Sequence, residues 1–538
     1  MTASPPRRHP VAAGRVLVVL AALAIAPAAH ARRDRPITGD ALRAARMLSS
    51  ARIDDARPLI ADLVKKAPDA PEVKWLEAEL AFLDGDYDGA LAKLEGVPDD
   101  TLSGLAGETR RLTERTRDVT GSFAHKESPK GRFVIYYAPG PDEVIVDLAG
   151  EVLDAAWETI GDDLGWRPTG KVRVEIVTAP SDLAKVSTLT EEEIETTGTI
   201  ALAKYEKLMV VTPRATLTGY PWMDTLAHEY THHVIAHATH DTVPVWLHEG
   251  LARFEQTRWR AAPSSTLPAT DQQLLASALS RRRLIDLDAM HPSMAKLPSQ
   301  EAAALAYAEV FTLVGWMHGK VGYAGLRQAL ALQRDGKSAR RAMGEVLGTT
   351  WVKLERDWKA HLRTLDLSAG RAAGSHGRRV RFDKGGGDDE NVGVDEVANT
   401  RARRFARLGG MLRARGMIAA AAIEYEKALA AAGAGASDPY VAGKLARTYV
   451  ELGQHDKAIA LARPLVAIDE HDAVPAVTLG VALAAGGDHA GARAAFEQAL
   501  RVSPFDPAVR CGLADAYDHL GAGAIARRER AACERLRN

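Results

Sequence analysis

A period of 34 residues near the end of the chain constrains its fold more than any other feature. Leu445, Leu479 and Leu513 fall in register, as do Ala446, Gly480 and Ala514, then Gly453, Gly487 and Gly521, then Ala458, Ala492 and Ala526. A unit of this length, with recurring large and small apolar positions, is a helix pair that cannot bury its apolar face alone, so the copies must stack. Tyr449 and Tyr517 recur at an aromatic position, and Pro504 stands between two copies. Ile423 to Leu429 resembles Phe496 to Leu500, which carries the array back toward residue 400. A weaker trace of the same period links Ala56 with Ala90, around Leu83-Asp84-Gly85-Asp86-Tyr87.

Between these helical ends lies His228-Glu229-Tyr230-Thr231-His232, in a segment with Pro221 at its start and an apolar side of Ala227, Tyr230, Val234 and Ile235. Residues four apart share a helix face, so His228 and His232 can offer two imidazole nitrogens to one ion, with Glu229 turned toward the open side. Glu249 follows seventeen positions after His232, in a second helical pattern that Pro244 opens and whose Leu247, Leu251 and Phe254 face inward. Three protein donors plus a water make a hydrolytic rather than a structural metal site, and a carboxylate beside the water can take its proton. Six of the 17 histidines fall between positions 228 and 248. His233 and His237 lie on another face of the helix from His228 and His232, and with His240 and His248 they are expected to be bystanders or to orient a ligand. Asp224, one turn before His228, is a further candidate for that supporting role.

H-E-Y-T-H followed by W-L-H-E-G-L-A resembles the gluzincin branch of the zincin metallopeptidases, in particular the bacterial peptidase MA-like domain. The resemblance implies one Zn2+ per chain held by His228, His232 and Glu249, with Glu229 as the base. It also implies a helix behind the site carrying Ala306-Tyr307-Ala308, where Tyr307 could stabilise an oxyanion, and a closing helix around Leu354-Glu355-Arg356-Asp357-Trp358. The 34-residue period is in turn similar to tetratricopeptide (TPR) repeats. The matching metal-binding segment is short, and it identifies no substrate.

Upstream of the motif, Phe133 to Tyr137 and Lys171 to Val177 read as strands, Asp142 to Ile160 as a helix, and Thr199 to Leu202 and Leu208 to Val211 as two more strands. A small twisted sheet ahead of active-site helices, flanked by helical repeats, makes the expected fold multidomain, part α+β and part all-α. An edge strand of that sheet, expected to be one of the last two, can pair with an extended peptide.

Arg7, Arg8 and Arg15 precede an apolar run from Val16 to Ala26, and Ala29-His30-Ala31 offers a cleavage site, the pattern of a bacterial secretory signal peptide. The expected organisation is a signal at 1–31, TPR-like helices at 32–120, a zincin domain at 129–366, a Gly- and charge-rich flexible linker at 367–395 and TPR repeats at 396–538, with a periplasmic location. A net charge of −1 points to neither nucleic acid nor an anionic surface as partner, and no later stretch is apolar enough for stable membrane insertion. Cys511 and Cys533 are the only cysteines, and an oxidising compartment permits their pairing. Gly336-Lys337-Ser338 ends like a phosphate loop, but Ala331 stands where the first glycine is required.

Two functions are therefore expected in competition. One is an exported zinc endopeptidase whose repeats recruit a protein substrate or partner, the linker letting the repeat groove deliver a chain to the zinc. The other is a non-catalytic TPR scaffold with a relic zincin domain. An aminopeptidase ranks below both, because no group to hold a free substrate amine is recognised.

Overall fold

The computed structural model describes residues 36–537 except 292, 295–296, 369, 371–379, 381, 383–392 and 433–437. The expected signal peptide and most of the expected linker lie outside the described residues.

Five helices open the described chain: α1 Pro36–Ser49, α2 Ile53–Lys66, α3 Pro71–Leu83, α4 Tyr87–Leu94 and α5 Leu105–Thr120. Ala56 and Ala90, the pair spaced by 34, are both fully buried, as expected where helices approach closely. A five-stranded mixed sheet follows, built from β1 Ala124–Glu127, β2 Phe133–Tyr137, β3 Val172–Val177, β4 Ala201–Lys204 and β5 Lys207–Val211 in the order β1-β2-β3-β5-β4. The inner pairs are parallel and both edges antiparallel. β5 is buried along its whole length, which is why Leu208 to Val211 reads as an unbroken apolar run.

Helix α6, Glu143–Leu164, crosses from β2 to β3, and α7 Pro180–Val186 and α8 Glu191–Thr197 lead to the β4–β5 hairpin. That hairpin turns on Tyr205 and Glu206, both left-handed at φ 57° and 58°, the mirror-image turn that matches strand twist. Non-glycine residues adopt this conformation only when their surroundings hold them there. Side chains do hold it: Tyr205 packs edge-on against Phe82 of α3 at 5.4 Å. Beside it Lys207, buried, bonds Glu175 at 2.8 Å and Tyr87 at 2.9 Å, tying the N-terminal helices to the sheet.

The sheet carries α9 Trp222–Thr239 and α10 Val245–Glu255, which begin after Pro221 and Pro244. α11 Ala269–Arg281, α12 Gln300–Arg334, α13 Ala339–Val346 and α14 Trp351–Leu362 complete this part. Gly250 lets α10 approach α12: a Cβ there would stand 2.8 Å from Val314 Cγ2 and 3.0 Å from the Val310 carbonyl oxygen.

The repeats form four helix pairs: α15 Thr400–Ala414 with α16 Ile418–Ala432, α17 Pro439–Glu451 with α18 His455–Ile468, α19 Ala473–Ala485 with α20 His489–Leu500, and α21 Pro507–His519 with α22 Gly523–Arg537. The small residues of the period sit at helix contacts; a Cβ on Gly480 would meet the Phe496 ring at 2.7 Å. Cys511 and Cys533 are disulfide-bonded and staple the last pair.

The array is seated on the metal-motif domain: Trp222 Nε1 donates to the Leu500 carbonyl at 3.0 Å, Tyr220 N to the Val502 carbonyl at 3.2 Å, and Arg510 Nη2 to the Val144 carbonyl at 2.9 Å. One apolar core runs through both, from Phe133 to Leu513. Buried apolar area and fixed hydrogen bonds replace the mobility that the linker's composition suggests. Within that linker, Phe382 makes an antiparallel bridge to Thr216. Among the described residues no helix is long and apolar enough to cross a membrane.

Candidate metal centre

Helix α9 is amphipathic in an unusual way, with its apolar side buried and histidines on two other faces. Ala227, Tyr230, Val234 and Ile235 are fully buried and anchor it to the core. His228 and His232, one turn apart, face α10, whose first turns bring up Glu249. His228 Nε2 and His232 Nε2 each stand 3.4 Å from Glu249 Oε2, and 3.1 Å from one another. The Glu249 Oε2 atom is buried and has no hydrogen-bond donor. Two imidazole nitrogens and an orphaned carboxylate oxygen, converging within 4.8 Å, fit a divalent cation of the zinc class. Burial opposes the charge on Glu249, but His232 and His228 outweigh it and hold the carboxyl well below its ordinary range.

Glu229 lies beside this group and is almost wholly buried. Burial, with Glu249 adding to it, pushes its carboxyl up to about 7, against the pull of His232 and of the Ala203 amide. Ala203 belongs to β4, the sheet's edge. Because the Val211 amide bonds the Ile200 carbonyl, the alternation along β4 turns the backbone groups of Ala201 and Ala203 outward. The edge strand therefore passes the acid, with the Ala203 amide meeting Glu229 and the outward groups of Ala201 beside it.

Tyr307, in the first turns of α12, faces the same carboxylates. Burial, then the charges of Glu249 and Glu229, push its phenol well above the ordinary value, so it is a proton donor at neutral pH. The other histidines are sorted by the fold. His248 stacks on His232 at 4.7 Å, with its Nδ1 2.5 Å from His232 Nδ1, on the side away from Glu249. Burial, then His232, depress the His248 pKa to about 3, so it stays neutral. His240 ends α9 in a left-handed conformation. His233 and His237 gather instead with Glu206 from the β4–β5 turn. Asp224 does not support the histidines: it accepts from Trp259 Nε1 at 2.8 Å and from Arg260 Nε and Nη2 at 3.0 and 2.8 Å.

Sequence reasoning did not single out Glu206. Its only signal was proximity to strand residues, since the glutamate lies 27 and 31 positions before its histidine neighbours.

The peptidase MA superfamily model matches residues 155–364, and a tetratricopeptide repeat model matches residues 40–100 and 477–532. No curated protein matches. Among solved structures the chain is similar to MamA AMB-1, with 23% identity over 27% of this chain and 85% of that one and a TM-score of 0.23. It is also similar to native leukotriene A4 hydrolase from Saccharomyces cerevisiae, with 11% identity over 78% and 67% and a TM-score of 0.29. A third similarity is to the APC/C hetero-tetramer Cut9-Hcn1, with 12% identity over 93% and 79% and a TM-score of 0.25. The chain thus carries a peptidase MA superfamily domain, with tetratricopeptide repeats on both sides of it.

Proposed function

We propose that this chain is an exported zinc-dependent endopeptidase that hydrolyses peptide bonds of protein substrates, one zinc serving catalysis at His228, His232 and Glu249, with the repeats engaging the substrate or a partner. The observation that carries the reading is the convergence of His228, His232 and an otherwise unpartnered Glu249 oxygen beside buried Glu229, inside a domain matched by the peptidase MA model. When bound, the ion supplies a Lewis acid that polarises a carbonyl and acidifies water. The rest is the work of side chains. Glu229, poised near neutrality, accepts the proton of the attacking water as its oxygen adds to the scissile carbonyl carbon, and then hands that proton to the departing amine nitrogen. Tyr307 donates its hydroxyl proton in a hydrogen bond to the oxyanion. The outward groups of Ala201 and the Ala203 carbonyl hold an extended substrate by strand addition, the mode that suits a polypeptide rather than a small molecule. The proposal of export, and with it a periplasmic location, is supported by the basic and apolar pattern of residues 7–31.

The test is metal content by elemental analysis of the purified mature chain, with casein and unfolded envelope proteins assayed for cleavage beside Glu229→Gln. Bound zinc with cleavage that depends on Glu229 is the expected result. A chain that cannot be loaded with zinc at His228, His232 and Glu249 would overturn the reading and favour the non-catalytic scaffold.

A further inference from the structure

We infer that helix α9 holds a second metal ion on its other histidine face, at His233, His237 and Glu206, and that this ion clamps the β4–β5 turn to the helix. The ligand class is a borderline divalent cation, zinc first, because two imidazoles and a carboxylate are the donors.

Three observations meet at this point. The donor atoms of Glu206, His233 and His237 lie within 4.8 Å of one another, the same closeness as in the first group. His237 Nε2 is buried, and Glu206 Oε2 stands 2.9 Å away as its ion-pair neighbour. That spacing suits an ion pair and equally two co-ligands of one cation. The surroundings fix the imidazoles in place. His237 stacks on Trp166 at 4.7 Å with 11° between the rings, His233 meets Trp166 edge-on at 5.9 Å, and the two imidazoles are 4.5 Å apart. His233 is 8% exposed, so a cation seated here would be well shielded from water.

The turn that delivers Glu206 is itself held in a conformation that non-glycine residues rarely adopt, at φ 58°. Adjacent side chains fasten it on opposite sides: Tyr205 into the N-terminal helices against Phe82, and Glu206 onto α9. The strand leading into the turn is β4, whose Ala203 amide meets Glu229. An ion at Glu206 therefore positions the edge strand that passes the acid, without touching the first metal group. Glu229 and Tyr307 belong to the first group, so the role of this ion is positioning. This inference stands apart from the proposed peptidase activity.

The experiment strips the full mature chain with a chelator, reloads it with Zn2+ alone and counts the metal after desalting. About two ions per chain are expected for the parent and about one each for Glu249→Ala and His237→Ala. Because His237 is packed on Trp166, Glu206→Gln is a second variant that leaves the helix intact, and it too should lose one ion. Zinc should raise the Tm of Glu249→Ala but not that of Glu249→Ala combined with Glu206→Gln. A parent chain with a single ion, kept by His237→Ala and Glu206→Gln and lost in Glu249→Ala, would overturn the second site and leave the first standing. A single ion with the opposite sensitivity would support the second site and overturn the first.

Discussion

One helix presents two histidine pairs, each spaced by four residues and each met by one glutamate, yet the two faces differ in everything else. His228 and His232 receive Glu249 from α10 and have Glu229, Tyr307 and an edge strand around them. His233 and His237 receive Glu206 from a turn and have the Trp166 ring over them. The donor sets are alike, so metal affinity alone cannot distinguish the faces. What distinguishes them is whether an acid near neutrality and a phenol stand where a reacting carbonyl would come. Glu229→Gln is the sharpest way to break the comparison. It should lower kcat by roughly 10²- to 10⁴-fold, the usual contribution of a general base, while zinc content stays that of the parent. Peptide hydrolysis measured beside elemental analysis checks both halves, and equal loss of metal and rate would show that Glu229 is structural instead.

The next effect divides the faces by the elements that build them. The first face takes Tyr307 from α12, where Glu309 is fully buried and accepts the Ile285 amide at 2.9 Å through one oxygen, the other being unpartnered. Burial pushes this carboxyl up to about 8, against smaller opposing pulls from the Ile285 amide and Lys359. An unfolded glutamate releases its proton near 4.5, so between 4.5 and about 8 the folded chain binds the extra proton. Its contribution to stability is therefore whole below pH 4.5 and is lost as pH rises through about 8, by an amount on the order of 4 kcal/mol. Glu309→Gln keeps the bond to Ile285 and cannot ionise, and chemical denaturation of the metal-free chain should show it flattening that slope. A parent stability that does not fall between pH 5 and 8 would sink this account of α12.

Tyr307 sits at the start of the same helix, and Tyr307→Phe tests the phenol without disturbing the packing. The expected loss is roughly 10²-fold in kcat with little change in KM, the size seen when one oxyanion donor is removed. The second face, whose donors are His233, His237 and Glu206, should keep its metal unchanged. If KM rose while kcat held, Tyr307 would be a substrate-packing aromatic.

How much of this was legible in the sequence follows from the range of the contacts. The two motif helices were readable because Pro221 and Pro244 mark their starts and their apolar sides recur at helical spacing. The repeats were readable because stacking forces small residues into register. β1 was not anticipated: Ala-His-Lys-Glu on an exposed edge has no apolar alternation to reveal it. β4 was expected at 199–202 and lies at 201–204, because a turn made by Tyr205 and Glu206 carries none of the Asn-Gly or Asp-Gly signal that locates such hairpins. Glu206 was hidden for the same reason. The seating of the C-terminal array was also beyond reach, since it depends on pairs such as Trp222 with Leu500 and Arg510 with Val144, hundreds of residues apart.

The smallest expected effect lies behind the first face. His232 turns Nε2 toward Glu249 and Nδ1 toward His248, so the neighbour's ring fixes both the tilt of His232 and which nitrogen is free to ligate. His233 and His237 are held differently: Trp166 stacks on His237 and meets His233 edge-on, and the Tyr230 ring lies against His233 at 6.5 Å. His248→Ala should then weaken zinc binding at the first face by roughly 10- to 100-fold, the usual effect of removing a group that orients a ligand. Competition against a chromophoric chelator reads that loss directly, and the second face provides the internal standard because its affinity should not move. His248→Gln, which can still hydrogen-bond the His232 ring, should recover part of the affinity, whereas a ring that serves only to fill space would be replaced no better by glutamine than by alanine.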